Sequence, residues 1–194
     1  GKYGSGRMFD GAGDYVDMGD SNSLSSVNDT RAFTISGWAL KRGASPATTG
    51  AIFSTKTSYS SAGYLLGDWG DQIRCVGQNG GWYATIESTP TLNEWIHFVC
   101  VYNGSNFLGY KNGGYIDTSV DVTGADLDGG AGFIGHAYSS LVWNGSIDEV
   151  QIYNRSLSAS EISELYTKGL ARIERQNVTE YIQNWTGEEN KTYV

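Results

Sequence analysis

Proline is almost absent from this chain, with two residues in 194, and cysteine, methionine and histidine each occur only twice. Thirteen Lys and Arg stand against 21 Asp and Glu, for a net charge of −8. Each scarcity closes off a class of protein. The shortage of basic residues argues against a nucleic-acid backbone as partner, because phosphate binding needs a basic patch. No apolar run approaches the length that spans a bilayer, so no membrane insertion is expected. His97 and His136 have no metal-ligand spacing with each other or with a cysteine pair. No P-loop and no G-x-S-x-G is present. Abundant instead are 27 Gly, 13 Tyr and six Trp. Aromatics at this level argue against disorder, and glycine without proline suits many strands joined by tight turns. At 194 residues one domain with a tail is expected, large enough to bury a core without staples. The chain opens at Gly1 without a signal peptide, so a mature product or a piece of something longer is expected.

Strand-like runs recur about every ten residues. Strands are expected near 6–9, 14–18, 33–41, 51–56, 63–68, 72–77, 83–88, 95–102, 106–111, 115–121, 131–136 and 146–153. Asn79-Gly80, Asn103-Gly104, Asn112-Gly113 and Asn144-Gly145 read as turns, since Asn and Gly tolerate positive φ. Within 95–102, Ile96, Phe98, Cys100 and Tyr102 form one face and Trp95, His97, Val99 and Val101 the other. Both faces are largely apolar, which predicts a central strand covered on both sides. Trp38 and Trp95 are assigned to the core, and His97 to a satisfied strand position.

The run from Gly145 to Ile162 specifies a chain reversal. Ile147, Val150, Ile152 and Tyr153 favour a strand, with a phase break at Asp148-Glu149, and the strand stops at Asn154. Ser158 and Glu161 make an S-x-x-E capping box, and Leu157 and Ile162 occupy the staple positions. A helix from about 159 to 168 is expected to stop at Gly169 as a C-cap.

This run, "GSIDEVQIYNRSLSASEISELY", resembles the closing strand and helix of laminin G-like jelly-roll domains in the concanavalin A-like lectin/glucanase superfamily. Phe9 to Val16, Phe33 to Trp38 and Trp95 to Gly104 are similar to further strands of that family, in the family's order. The resemblance spans roughly residues 7–169 and implies an all-β, two-sheet antiparallel jelly-roll sandwich with a short helix after the last strand. The domain is therefore set at 1–169, with 170–194 as a C-terminal extension. The fold hosts lectins, adhesion modules, structural domains and hydrolases. The resemblance also implies a structural Ca²⁺ between the first and last strands, with Asp10 and Asp148 as ligands and Asp14 and Asp17 as further candidates. In the alternative, Asp10 caps the Asp-Gly turn and Asp148 accepts backbone N–H bonds. The acidic stretch from Asp121 to Gly130, with Asp126 and Asp128, reads as a solvated turn.

A pyranose ring stacks on an exposed aromatic face while neighbouring polar groups bond its hydroxyls. Trp69, Trp82, Tyr83, Tyr138 and Trp143 lie in or beside Gly-rich, loop-like segments and are the candidates for glycan contact, against packing in the sandwich. Hydrolysis requires two carboxylates at defined separation. The glucanases of this superfamily carry them on one strand as E-x-D-x-E, and no such run exists here. Asp148 and Glu149 are adjacent and would point to opposite faces of a regular strand. Glu87 and Glu94 flank a loop without a partner motif. No catalysis is expected.

Cys75 and Cys100 fall in strand-like runs, so a disulfide between neighbouring strands is expected if their Cβ atoms face each other, and two buried thiols if not. Seven of the twelve asparagines head N-x-S/T sequons: Asn28, Asn103, Asn144, Asn154, Asn177, Asn184 and Asn190. Chance would give about two, which points to a glycosylated extracellular or cell-surface chain, although Asn-Gly-Ser turns create sequons by accident at Asn103 and Asn144. Val178, Ile182 and Trp185 follow helical spacing, and Asn177 and Asn184 share a face of that helix. Two functions are expected from these features. One is a non-catalytic module binding glycan or a glycosylated surface. The other is a structural subunit or decoration domain of a cell-surface layer, filament or virion, with self-assembly or parent-protein contacts through the C-terminal segment.

Overall fold

The computed structural model describes residues 6–19, 32–43, 49–56, 58, 62–69, 72–78, 82–86, 90–119, 121, 131–138 and 141–171. Twelve strands fall within them: β1 (Arg7–Asp10), β2 (Val16–Asp17), β3 (Phe33–Lys41), β4 (Thr49–Ser54), β5 (Gly63–Trp69), β6 (Gln72–Gln78), β7 (Trp82–Ile86), β8 (Trp95–Tyr102), β9 (Phe107–Lys111), β10 (Gly114–Thr118), β11 (Phe133–Ile134) and β12 (Asn144–Tyr153). One helix, α1, occupies 159–171. The first sheet has the order β1-β12-β3-β8-β9-β10 and the second β2-β11-β4-β5-β6-β7, with every pairing antiparallel. This is the jelly-roll sandwich, and the strand order brings the first and last strands of the first sheet side by side.

Period-two alternation explains the layering. Phe33, Ile35 and Ala39 of β3 and Ile96, Phe98, Cys100 and Tyr102 of β8 enter the core between the sheets. They meet Ile52, Phe53, Tyr64, Leu66, Ile73 and Cys75 from the second sheet. Two features tie the sheets across this core. Cys75 of β6 and Cys100 of β8 are joined as a disulfide, with their Cα atoms 5.6 Å apart. The bridge therefore crosses from sheet to sheet rather than linking neighbouring strands. Lys41 at the end of β3 is ion-paired with Asp68 of β5, and both are buried. Asp68 also accepts the Gly50 N–H at 2.6 Å. Burial raises the Asp68 pKa, while the Lys41 hydrogen bond and charge act the other way.

The other face of β8 is covered by α1. Val99 and Val101 pack with Tyr110, Leu157 and Ile162. His97 bonds Ser36 Oγ through Nε2 at 2.8 Å, and the rings of Trp38 and Tyr166 flank it at 5.0 and 6.1 Å. The strand is thus central and covered on both sides, although Trp95 at its start is only half-buried. The capping box forms as spelled. Glu161 Oε2 accepts the Ser158 N–H at 2.9 Å, and Ser158 Oγ accepts the Glu161 N–H at 3.3 Å. Arg155 binds the same carboxylate with both terminal nitrogens. These donors, led by Arg155, hold the Glu161 pKa down to about 2.

Two local expectations need correction. Gly169 does not end the helix but lies within it, buried. A Cβ there would sit 2.7 Å from Trp38 Cζ2, so glycine is present because the helix backbone rests on the indole. Asn144-Gly145 is not a turn but the start of β12, laddered to Asp10 and Phe9 on one side, with Gly145 paired to Lys41 on the other. The phase break at Asp148-Glu149 is a bulge, with Glu149 at φ 50°. By contrast, Asn112 and Gly113, at φ 52° and 78°, form the two-residue turn between β9 and β10.

Candidate functional site

The outward face of the second sheet offers the site. Its middle is covered by a ridge of residues that follow β11, tied by an Ala137 N–H to Leu141 O bond of 2.8 Å. Ala137, Tyr138 and Leu141 pack there on Ala51, Leu65 and Val76 of β4, β5 and β6. Beside this ridge, at the β2–β11 rim, three aromatic rings meet. Tyr15 lies 5.3 Å from His136 with the rings tilted by 36°, and 6.0 Å from Phe133 edge to face. Phe133 and His136 are 5.8 Å apart. Tyr15 is 49% exposed, and the other two are half-buried beneath it.

The local sequence explains the cluster. Val16 pairs with Ile134, and Asp17 with Phe133. Val16 and Ile134 pack against the core, so alternation turns Tyr15, Asp17 and Phe133 outward. Regular alternation would then turn His136 inward. Gly135 breaks the phase at φ 84°, and a Cβ on it would stand 2.2 Å from Phe9 Cε1. Only glycine fits a position with both that φ and that contact, and the kink sends His136 to the outer face.

Asp14 and Asp17 flank Tyr15 in sequence. Asp17 is exposed, and its Oδ1 accepts the Gly19 N–H at 2.8 Å. Asp14 Oδ2 accepts the Asp10 N–H at 3.3 Å. Lys56 is fully buried, with Nζ 5.6 Å from the Tyr138 ring centroid, and burial lowers its pKa to about 8. Farther along the face, Arg74 donates to Gln72 at 3.2 Å. An exposed ring with hydrogen-bonding groups at its edge can hold a sugar face by stacking while its hydroxyls are bonded. Elsewhere, a hollow of about 170 Å³ between β12 and α1 is lined by Tyr153, Arg155, Glu161, Glu164 and Lys168, whose charges pair among themselves.

The residues expected from sequence are placed differently. Trp143 is 1% exposed within the main core, and Tyr138 is 7% exposed within the ridge, so neither is a stacking platform. Tyr138 packs with Leu65 and Val76 on the outer face of the second sheet, and Trp143, just before β12, enters the core between the sheets. Trp69, Trp82 and Tyr83 are located by backbone alone, at the end of β5 and in β7, and their side chains lie outside the described ones. Register puts positions 69 and 82 on the same face as Leu65 and Val76, at opposite ends of the β5–β6–β7 ladder, and position 83 on the other face.

Asp10 and Asp148 are not brought together. Asp10 ladders to Asn144, four residues from Asp148, which is on the order of 13 Å along a strand. Each carboxylate accepts a local backbone N–H, Asp10 from Ala12 at 2.7 Å and Asp148 from Glu149 at 2.9 Å. One calcium ion shared by these two residues does not fit this register, and no group of three or more His, Cys, Asp or Glu gathers as a metal site among the described residues. Of the sequons, Asn103 and Asn154 are exposed, and Asn144 is half-buried in β12. Asn28, Asn177, Asn184 and Asn190 lie outside the described residues, as do Val178, Ile182, Trp185, Asp126 and Asp128. No described helix is long and apolar enough to cross a membrane.

Residues 10–163 match the laminin G-type family of the concanavalin A-like lectin/glucanases superfamily. The chain belongs to that superfamily. No curated protein matches it. Among solved structures, it resembles domain 4 of AbnA, an extracellular GH43 arabinanase from Geobacillus stearothermophilus, determined with arabinotriose. Identity there is 18% and the TM-score 0.63, over 86% of this chain and 78% of that one. It also resembles the CBM40 of Ruminococcus gnavus IT-sialidase bound to α2,3 sialyllactose, at 13% identity and TM-score 0.70, over 84% and 96%. Against Trypanosoma rangeli sialidase the values are 20% and 0.65, but the chain spans only 27% of that enzyme. At these identities the likeness establishes the fold.

Proposed function

We propose that this superfamily member is a non-catalytic, extracellular carbohydrate-binding module whose ligand stacks on Tyr15 at the β2–β11 rim. The observation that carries this reading is the half-exposed Tyr15 ring set against His136 and Phe133, with Asp17 on the same face. The related folds that were solved with arabinotriose and with α2,3 sialyllactose support carbohydrate as the ligand class. The sequon excess and the Cys75–Cys100 disulfide support an extracellular setting, where such bonds persist.

A glycan array probed with wild-type protein and Tyr15→Ala tests it. Specific binding by the wild type, weakened about ten-fold or more in the variant, is the expected result. Binding that Tyr15→Ala leaves intact places the site elsewhere. Silence of the folded wild type across the array turns the weight to an assembly role.

A further inference from the structure

The rim that carries the aromatic platform holds two carboxylates beside Tyr15 in sequence, Asp14 and Asp17. Asp17 sits on the same face as Tyr15 and pairs in register with Phe133. Its exposed carboxylate accepts the Gly19 N–H through Oδ1. Asp14 adjoins Tyr15 in sequence, and its carboxylate accepts the Asp10 N–H, which ties the Asp10 carboxylate into the same loop. Lys56 is fully buried and directed at the Tyr138 ring, and Arg42 lies against Met8 of β1, with Nη1 2.9 Å from Sδ.

An ionised carboxylate only accepts hydrogen bonds, and sugar hydroxyls can donate to it. A second carboxylate, brought by an acidic sugar, can only repel it. Resting on the stacking site proposed above, we infer that Asp14 and Asp17 make that site selective for uncharged sugars and turn away sialylated and other acidic ones. The chain then shares a fold with the CBM40 bound to α2,3 sialyllactose while carrying the opposite charge preference, consistent with its net charge of −8.

Titration calorimetry at neutral pH with lactose, arabinotriose and α2,3-sialyllactose tests this, using wild type, Tyr15→Ala and Asp14→Asn/Asp17→Asn. The asparagines keep the local acceptor oxygens and remove the charge. The expected result is binding of a neutral probe, with sialyllactose at least about five-fold weaker than the best neutral sugar in low salt. The gap should narrow at high ionic strength and close in the double variant. Sialyllactose binding that is equal or tighter in the wild type, yet is lost in Tyr15→Ala, overturns the charge selectivity and leaves the platform standing. Binding of any probe that survives Tyr15→Ala, or silence of all three probes, overturns the platform and the selectivity with it.

Discussion

Reducing the Cys75–Cys100 bridge isolates one contribution to stability without removing an atom from the core. Both cysteines belong to the core cluster that also holds Phe33, Tyr64, Phe98 and Phe107, and the reduced thiols would fill nearly the same space. What reduction changes is the unfolded chain. The bond closes a loop of 25 residues, and loop-closure entropy for that length corresponds to about 3.5 kcal/mol at room temperature. For a domain of this size the same quantity lowers the Tm by roughly 7 to 14 °C. Because the bridge is buried, the protein is reduced in denaturant and refolded with reductant present. Guanidinium unfolding is then followed by tryptophan fluorescence for both forms. The reduced form should unfold at a lower midpoint with a steeper denaturant dependence, since its unfolded state is less compact. Coincident curves would refute the cross-sheet bond and favour two packed thiols.

Three further outcomes follow from the described contacts. Gly135→Ala should destabilise the fold by about 2–5 kcal/mol, through left-handed strain and the clash with Phe9, and should lower sugar affinity by displacing His136; urea unfolding and a binding titration read both. Asp68→Leu should cost about 3–5 kcal/mol by removing the carboxylate that pairs with the buried Lys41, while Lys41→Met/Asp68→Leu should cost less, and additive losses in chemical unfolding would contradict the pairing. Lys56 has a folded pKa near 8, below its unfolded value of about 10.5. The unfolded state therefore binds the extra proton between those values, and stability should rise with pH across that window in the wild type relative to Lys56→Met, as read by Tm at pH 7.5 and 9.5. Parallel pH profiles of the two proteins would rule out the burial effect.

The closing run from Ile147 to Ile162 and the two faces of β8 were legible because each is a local pattern. A bulge, a cap and a staple are spelled within a few residues of where they act. The same holds for the Asn112-Gly113 turn. Register was not legible. Asp10 and Asp148 lie in adjacent strands as the motif order implies, yet their ladder offset of four residues separates the carboxylates. Local composition also misled at Tyr138 and Trp143, where glycine-rich surroundings suggest an exposed loop but Tyr138 packs on the second sheet and Trp143 in the main core. The Tyr15–Phe133–His136 cluster joins residues more than a hundred apart in sequence through the two short strands β2 and β11. Its one sequence signal is Gly135, a glycine inside a strand-like run, which marks a change of phase. Gly169 shows the reverse case: a glycine near an expected helix end, kept for its contact with Trp38 rather than for capping.

Histidine-ring NMR tests the carbohydrate platform most directly, because the chain has only two histidines. His136 lies in the platform, and His97 lies buried beneath α1 against Ser36, Trp38 and Tyr166. In a titration with an array-positive sugar, the His136 ring resonances should move in a saturable way while those of His97 stay fixed. Saturable binding with both histidines unmoved, or with His97 alone shifting, would contradict a ligand on the Tyr15 rim.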